Sequence, residues 1–133
     1  MRPYLTPLPL ARIDTLRGDP SDIVTHLADV LAADSIRVRV MTSEEGYLET
    51  RRFDARFVQE DSTRAPISPI VRLRFWIDPV GEGEAQVTAE VVTERTMDPS
   101  LPERQREIMV PPGHPGWRVL ERILAALHRG FPR

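Results

Sequence analysis

The sequence predicts an α+β domain in which a four-stranded antiparallel sheet is covered on one face by an N-terminal and a C-terminal helix. Apolar residues recur at helical spacing near both ends, and apolar and polar residues alternate with a period of two in the middle. The length of 133 residues, with 41% hydrophobic and 29% charged residues, fits one globular domain. The expected element order is therefore α-β-β-β-β-α.

The first 18 residues are expected to form an extended, proline-rich N-terminal segment, and residues 19–133 a single domain. Prolines at positions 3, 7 and 9 oppose a helix and make a poor central strand. The apolar side chains of this segment follow neither a helical nor a strand period: Tyr4, Leu5, Leu8, Leu10, Ile13 and Leu16. An ordered segment of this composition needs a surface that buries them, which is either the domain itself or a partner.

Two helices have clear boundaries. Asp19 is a good N-cap, Pro20 suits the first helical position, and the apolar stripe that follows extends to about Ala33. The last helix is predicted from about Pro115 to Arg129, with an apolar stripe of Trp117, Leu120, Ile123, Leu124 and Leu127. In the proline-rich connection before it, Ser100 to Met109 is a candidate short helix.

The four strands form two predicted hairpins. Residues 36–40 alternate in polarity, a turn at 43–46 follows, and residues 47–53 return, with a continuation through Val58 considered. The second hairpin joins residues 71–77 to 87–92 through the turn PVGEG. Placing Asp78 opposite Glu84 pairs Phe75 with Val87 and sets Arg72 opposite Glu90, on a face that this pattern predicts to be in solvent.

The composition argues against several kinds of chemistry. The chain has no Cys, so disulfides, thiolate metal sites and cysteine nucleophiles are excluded. A net charge of -2 provides no uniform field for nucleic acid. The three His residues are isolated and the G-x-S-x-G elbow is absent, so no catalytic, metal-binding or cofactor-binding residue is predicted. No apolar run is long enough for a transmembrane helix, and no secretory signal is recognisable.

The best candidates for a functional site are partner-binding residues. Arg and Trp are enriched in protein–protein hot spots, and Arg72, Arg74 and Trp76 share one face of the predicted second hairpin. The N-terminal side chains Tyr4, Leu5, Leu8 and Leu10 are the second set. The simpler interpretation of the arginines is an ordinary sheet surface paired with Glu90 and Glu94.

The element order suggests a helix-grip arrangement, and residues 20–130 resemble the domains of BamC-like bacterial lipoproteins. The resemblance depends on an amphipathic helix, then SIRVRV, then GYLETRRFD, the hairpin VRLRFWIDPVGEGEAQVTAEVV and the last helix. It implies a binding or scaffolding role, with no active site to transfer. The chain departs from a lipoprotein because it contains no Cys to carry the lipid.

We therefore expect a non-catalytic accessory subunit or protein-binding module that docks on a larger assembly, with a membrane-associated one among the options. The alternative is a small-molecule-binding protein or enzyme that uses the groove between sheet and helices. A third hypothesis is RNA binding through Arg72, Arg74 and Trp76. The compartment stays open: cytoplasmic or peripheral as written, periplasmic if a signal segment was removed.

Overall fold

The computed structural model describes residues 2–3, 5–58, 68–95 and 98–131, with the side chains of residues 57 and 58 left out. The strands are β1 (Arg12–Arg17), β2 (Val38–Thr42), β3 (Tyr47–Thr50), β4 (Phe53–Asp54), β5 (Ile70–Gly81), β6 (Glu84–Glu94) and β7 (Glu107–Met109). The helices are α1 (Pro20–Ala33) and α2 (Pro115–Gly130), and short 3-10 helices span Ala55–Val58 and Glu103–Arg106. The predicted α+β class with two helices and an antiparallel sheet is confirmed.

The described residues form a sheet of seven strands, so the prediction of four was wrong. The order is β1-β6-β5-β3-β2, with β4 pairing with β5 and β7 pairing with β6, and every pairing is antiparallel. Strand β1 lies within the segment predicted to be merely extended. It can form because residues 12–17 contain no proline and because an edge strand needs a partner on one side only.

Both helices begin at the predicted residues, Pro20 and Pro115, and the Asp19 cap predicted for α1 is present. The Asp19 side chain accepts a hydrogen bond from the Ser21 amide, and Pro20 occupies the first helical position. The His114 Nδ1 accepts from the Gly116 amide at the start of α2, and its Nε2 lies 2.8 Å from the Ser68 carbonyl oxygen. This histidine is fully buried, and its two ring nitrogens secure the start of the helix.

The hydrophobic core lies between the two helices and one face of the sheet. Side chains from α1 and α2 pack against the inward residues of β5 and β6, with Leu16 of β1 and Leu48 of β3 at the sides. The predicted short helix over 100–109 is replaced by the 3-10 turn Glu103–Arg106 and by β7. Strand β1 pairs with residues 84–89 of β6 and leaves the C-terminal part of that edge free. Residues 107–109 pair there, with residues 92–94.

The predicted register of the β5–β6 hairpin was wrong by two residues. Phe75 faces Ala89 and Arg74 faces Glu90, whereas Asp78 faces Gln86. Strand β5 continues through Pro79 to Gly81, and an irregularity between these two residues leads into a two-residue loop, Glu82-Gly83. Gly83 has a positive φ of 72°, which a tight hairpin turn requires.

Candidate functional site

The sheet face opposite the two helices, which we call the outer face, is the candidate functional site. It carries Tyr47, Glu49, Arg72, Arg74, Trp76, Thr88 and Glu90. The prediction that this face is in solvent was wrong, because Trp76 is 1% exposed, Arg74 2% and Glu90 0%. Chain segments without long helices or strands cover it: residues 2–3 and 5–10, which we call the N-terminal strap, and residues 98–107.

Arg74 is the centre of an ion-pair network on this face. Its Nε lies 3.3 Å from Glu49 Oε1, and its Nη1 lies 3.2 Å from Glu90 Oε2 and 2.6 Å from Glu107 Oε1. Cross-strand pairing places Glu49 and Glu90 on either side of Arg74, in β3 and β6. Strand β7 adds Glu107, so carboxylates from β3, β6 and β7 meet at the guanidinium of Arg74 in β5.

The 3-10 turn Glu103–Arg106 supplies further charges from above the sheet. Arg104 Nη1 lies 2.5 Å from Glu90 Oε2, and Glu103 Oε1 lies 2.5 Å from Arg72 Nη1. Arg72 Nε also donates to the Thr50 carbonyl oxygen at 2.9 Å. At the rim, Arg39 and Arg52 bind Glu103. The buried carboxylates are thus bound by guanidinium groups, so the network consists of ion pairs.

The ion pairs shift the pKa values of Arg74 and Glu103 in the directions that keep both groups charged, whereas burial lowers the pKa of Arg72. Burial alone would lower the pKa of Arg74, but its hydrogen bond to Glu107 and the surrounding charges raise it above the ordinary value. Burial opposes ionisation of Glu103, yet Arg72 and Arg39 lower its pKa below the ordinary range. Burial, followed by the hydrogen bond to Glu49, raises the pKa of Tyr47, whose hydroxyl donates at 2.6 Å.

Tyr47 and Trp76 form an aromatic pair beside this network. They are opposite each other in β3 and β5, with ring centroids 5.7 Å apart in an edge-on arrangement. The Trp76 indole N–H is buried and has no hydrogen-bond acceptor among the described residues. A buried donor without an acceptor costs about 1–3 kcal/mol. The outer face therefore holds a polar group that no described residue of its cover satisfies.

The N-terminal strap attaches at both ends of the outer face. Arg2 Nη1 lies 2.6 Å from Asp78 Oδ1, and the Arg2 amide donates to Glu45 Oε2 at 2.8 Å. The Leu8 amide donates to Glu90 Oε1 at 3.0 Å. Between these points, Arg104 Nη2 donates to the Thr6 carbonyl oxygen at 2.6 Å. These polar contacts hold a proline-containing segment across the face before it turns into β1.

The structure distributes the predicted partner-binding residues unevenly. Arg72, Arg74 and Trp76 are brought together as predicted for one face, but they lie beneath the cover. Leu5 and Leu8 are half-buried in the strap, Leu10 is 87% exposed, and Tyr4 lies outside the described residues. Sequence reasoning placed Glu90 opposite Arg72, whereas it lies opposite Arg74, and it missed the other acidic residues of the site: Glu49, Glu103 and Glu107. Their signal was charge complementarity to the arginines, which is invisible without the long-range pairing.

A cavity of about 290 Å³ opens at one end of the outer face. Its polar lining comes from Arg52, Arg72, Glu94 and Glu107, with Val71 and other apolar side chains between them. No group of three His, Asp or Glu side chains in the described part of the chain converges as a metal site would require. Neither described helix is long and apolar enough to cross a membrane.

The comparisons with known proteins add no family. No protein-family model matches the chain, and no curated protein sequence matches it. Fold and site thus define an α+β domain with an ion-paired outer face beneath an N-terminal strap.

Proposed function

We propose that this domain is a non-catalytic protein-binding module, an accessory subunit of a larger assembly, whose docking surface is the outer face beneath the strap. The observation that carries the proposal is that a weakly attached chain segment covers a preorganised set of aromatic and Arg side chains. Large aromatic and Arg side chains, the types that dominate protein–protein hot spots, are preorganised there. They are covered by a chain segment that attaches through a few polar contacts.

The energetics of the face favour a binding role over a purely structural one. Buried ion pairs add little net stability, because the cost of removing charges from water offsets their attraction. An apolar layer of the same volume would stabilise the sheet at least as well. Retaining Arg74 with three carboxylates, beside a Trp76 N–H that no described residue accepts, is instead useful for recognising a specific polar partner.

The covered face supports the protein-binding proposal over the two alternatives. The space between sheet and helices is occupied by a continuous cluster of 22 buried side chains, which offers little support for a ligand groove there. Arg72 and Arg74 are already neutralised by carboxylates, which disfavours phosphate binding and hence RNA. We also propose that the arrangement is of the helix-grip type, with the scaffolding role that the BamC-like resemblance implies.

The test uses a variant that lacks residues 1–10, in a Trp117→Phe background so that Trp76 is the single tryptophan. We expect this variant to fold and the fluorescence emission of Trp76 to move to longer wavelength, because the outer face becomes exposed to solvent. A synthetic peptide of residues 1–11 should bind and reverse the shift. A peptide carrying Arg2→Glu is the matched control, and it should bind weakly because it repels Asp78 and Glu45.

Two results would count against the proposal. Emission that stays at short wavelength after truncation would mean that the face closes on itself. If the truncated domain folds but the peptide does not change the Trp76 emission, the face does not bind an extended segment in trans.

A further inference from the structure

We infer that two copies of this chain exchange their straps, so that Arg2 and residues 5–8 of each copy occupy the outer face of the other. The inference rests on the proposed function, since it uses the same docking surface, and it names the occupant. The segment that the structure shows to fit this face is the chain's own strap. A second copy carries that same segment.

The hinge of the exchange is Leu10. It joins the strap to β1 and has a φ of +75°, a left-handed conformation that costs a non-glycine residue free energy. Its side chain is 87% exposed, so packing does not offset that cost. The turn is closed by a single backbone bond, from the Ala11 amide to the Leu8 carbonyl oxygen at 3.2 Å. Extending this turn lets Leu10 return to the ordinary β region.

The strap can change its host without losing its contacts. The bonds of Arg2 to Asp78, of Leu8 to Glu90 and of Thr6 to Arg104 each join the strap to the body of the domain. A second copy offers the same acceptors and donors in the same geometry. Pro7 and Pro9 keep the released segment extended, which lowers the entropy lost when it binds again.

Apolar side chains beside the hinge gain burial in the exchanged form. Leu10 and Ile13 are the two most exposed large hydrophobic residues in the described chain, the latter at 59%. They flank the point at which both straps would cross from one copy to the other. Strand β1 is also an edge of the sheet, so the two hinges can lie side by side there.

Exchange competes with the strap of the same chain, whose effective concentration is on the order of mM for a short connection. Dimers should therefore appear at high protein concentration and be a minor species at low concentration. Relief of the strained hinge in both copies favours the dimer. A Leu10→Gly variant, which accepts positive φ without cost, should lower the dimer association constant by about tenfold or more.

A charge-reversal pair tests the exchange directly. Arg2→Glu and Asp78→Arg each create repulsion within one chain, so each variant alone should be monomeric with solvent-exposed Trp76 in the Trp117→Phe background. In an equimolar mixture, each strap meets an opposite charge only on the other copy. We expect a 1:1 heterodimer by light scattering and native mass spectrometry, with Trp76 emission returning to short wavelength.

A mixture that stays monomeric at ~1 mM, the effective concentration of the competing strap, would overturn the exchange. If Asp78→Arg does not fold, the dimer fractions of wild type and Leu10→Gly are compared instead. Equal dimer fractions would also overturn the proposed exchange. Binding of the strap peptide to the truncated domain without heterodimer formation would refute the exchange alone. Failure of the peptide to bind would refute the proposed function as well.

Discussion

Arg74 is the residue on which the outer face depends most. Its guanidinium faces Glu49, Glu90 and Glu107 at 2.6–3.3 Å, and its side chain is buried. Replacing it by Met keeps the volume but leaves three buried carboxylates without their shared partner. We expect Arg74→Met to lower the free energy of unfolding by about 3–5 kcal/mol, measured by urea denaturation.

The matched control for this prediction is Arg51→Met. Arg51 is exposed, and its side chain forms no ion pair with the described residues, so the change should stay within about 0.5 kcal/mol. Equal effects of the two substitutions would mean that the ion-pair network contributes nothing to stability.

Glu103 makes stability depend on pH in a defined direction. Its folded-state pKa lies below the ordinary value of 4.5 because Arg72 and Arg39 favour the charged form more than burial opposes it. The stability it contributes is therefore fully present above pH 4.5 and is lost as the pH falls through its folded-state pKa. Glu103→Gln should flatten the acid limb of the unfolding free energy below pH 4.5, read from urea titrations at each pH.

Glu82→Gln provides the comparison for Glu103→Gln, because it removes one carboxylate from the exposed β5–β6 turn. An acid limb that is unchanged in Glu103→Gln would show that the carboxylate is not stabilised by its arginines.

Among the elements, the β2–β3 turn has the strictest steric requirement. Gly46 has a φ of +67°, and a Cβ placed on it would lie 1.9 Å from the Ile77 carbonyl oxygen of β5. The turn cannot move away from β5 without loss, because the Ile77 amide donates a hydrogen bond to the Gly46 carbonyl oxygen at 2.7 Å. We expect Gly46→Ala to lower the midpoint of thermal unfolding and to cost about 2 kcal/mol or more.

Gly81→Ala is the control, because no atom lies within 4 Å of its Cβ position and its φ is not positive. A Gly46 variant as stable as the Gly81 variant would contradict the close approach of the turn to β5.

Elements defined by local chemistry could be predicted from the sequence, and those defined by distant pairing could not. The start of α1 is determined by Asp19 and Pro20, which are adjacent to the helix they begin. The β5–β6 register was missed because a slip of two residues leaves the same apolar side chains on the same face. Turn geometry at Pro79 to Gly83 decides between the registers.

The residues of β5 in the candidate site could be predicted for the same reason, and those from distant segments could not. Arg72, Arg74 and Trp76 alternate within one strand, so their shared face followed from the period of two. Glu103 and Glu107 come from about 30 residues further along the chain, and the strap comes from about 70 residues before. No local pattern reports that these segments meet, and their arrival turns an exposed surface into a buried one.

At the scale of the whole molecule, the boundary between strap and domain lies at the start of β1. Removing residues 1–10 takes away the strap alone, so the truncated domain should unfold in one cooperative transition. Removing residues 1–16 also removes all of β1 except Arg17, including Leu16, which is 1% exposed in the core. That larger deletion should cost at least the 2–5 kcal/mol expected for losing a buried leucine.

Circular dichroism melts of the two truncations check this boundary. If both truncations melted together, β1 would behave as part of the strap. If the shorter deletion abolished the cooperative transition, the strap would be part of the folding unit.

The pairing of β1 with β6 has a consequence during translation. A ribosome that has just made Arg17 must add the residues up to Glu94 before β6 is complete. At about 5–20 residues per second, that delay is roughly 4–15 s. For this interval residues 12–17 have no β6 of their own to pair with, and Leu16 has no core to enter. The order of synthesis therefore makes the pairing of β1 with β6 one of the last steps by which the sheet is completed.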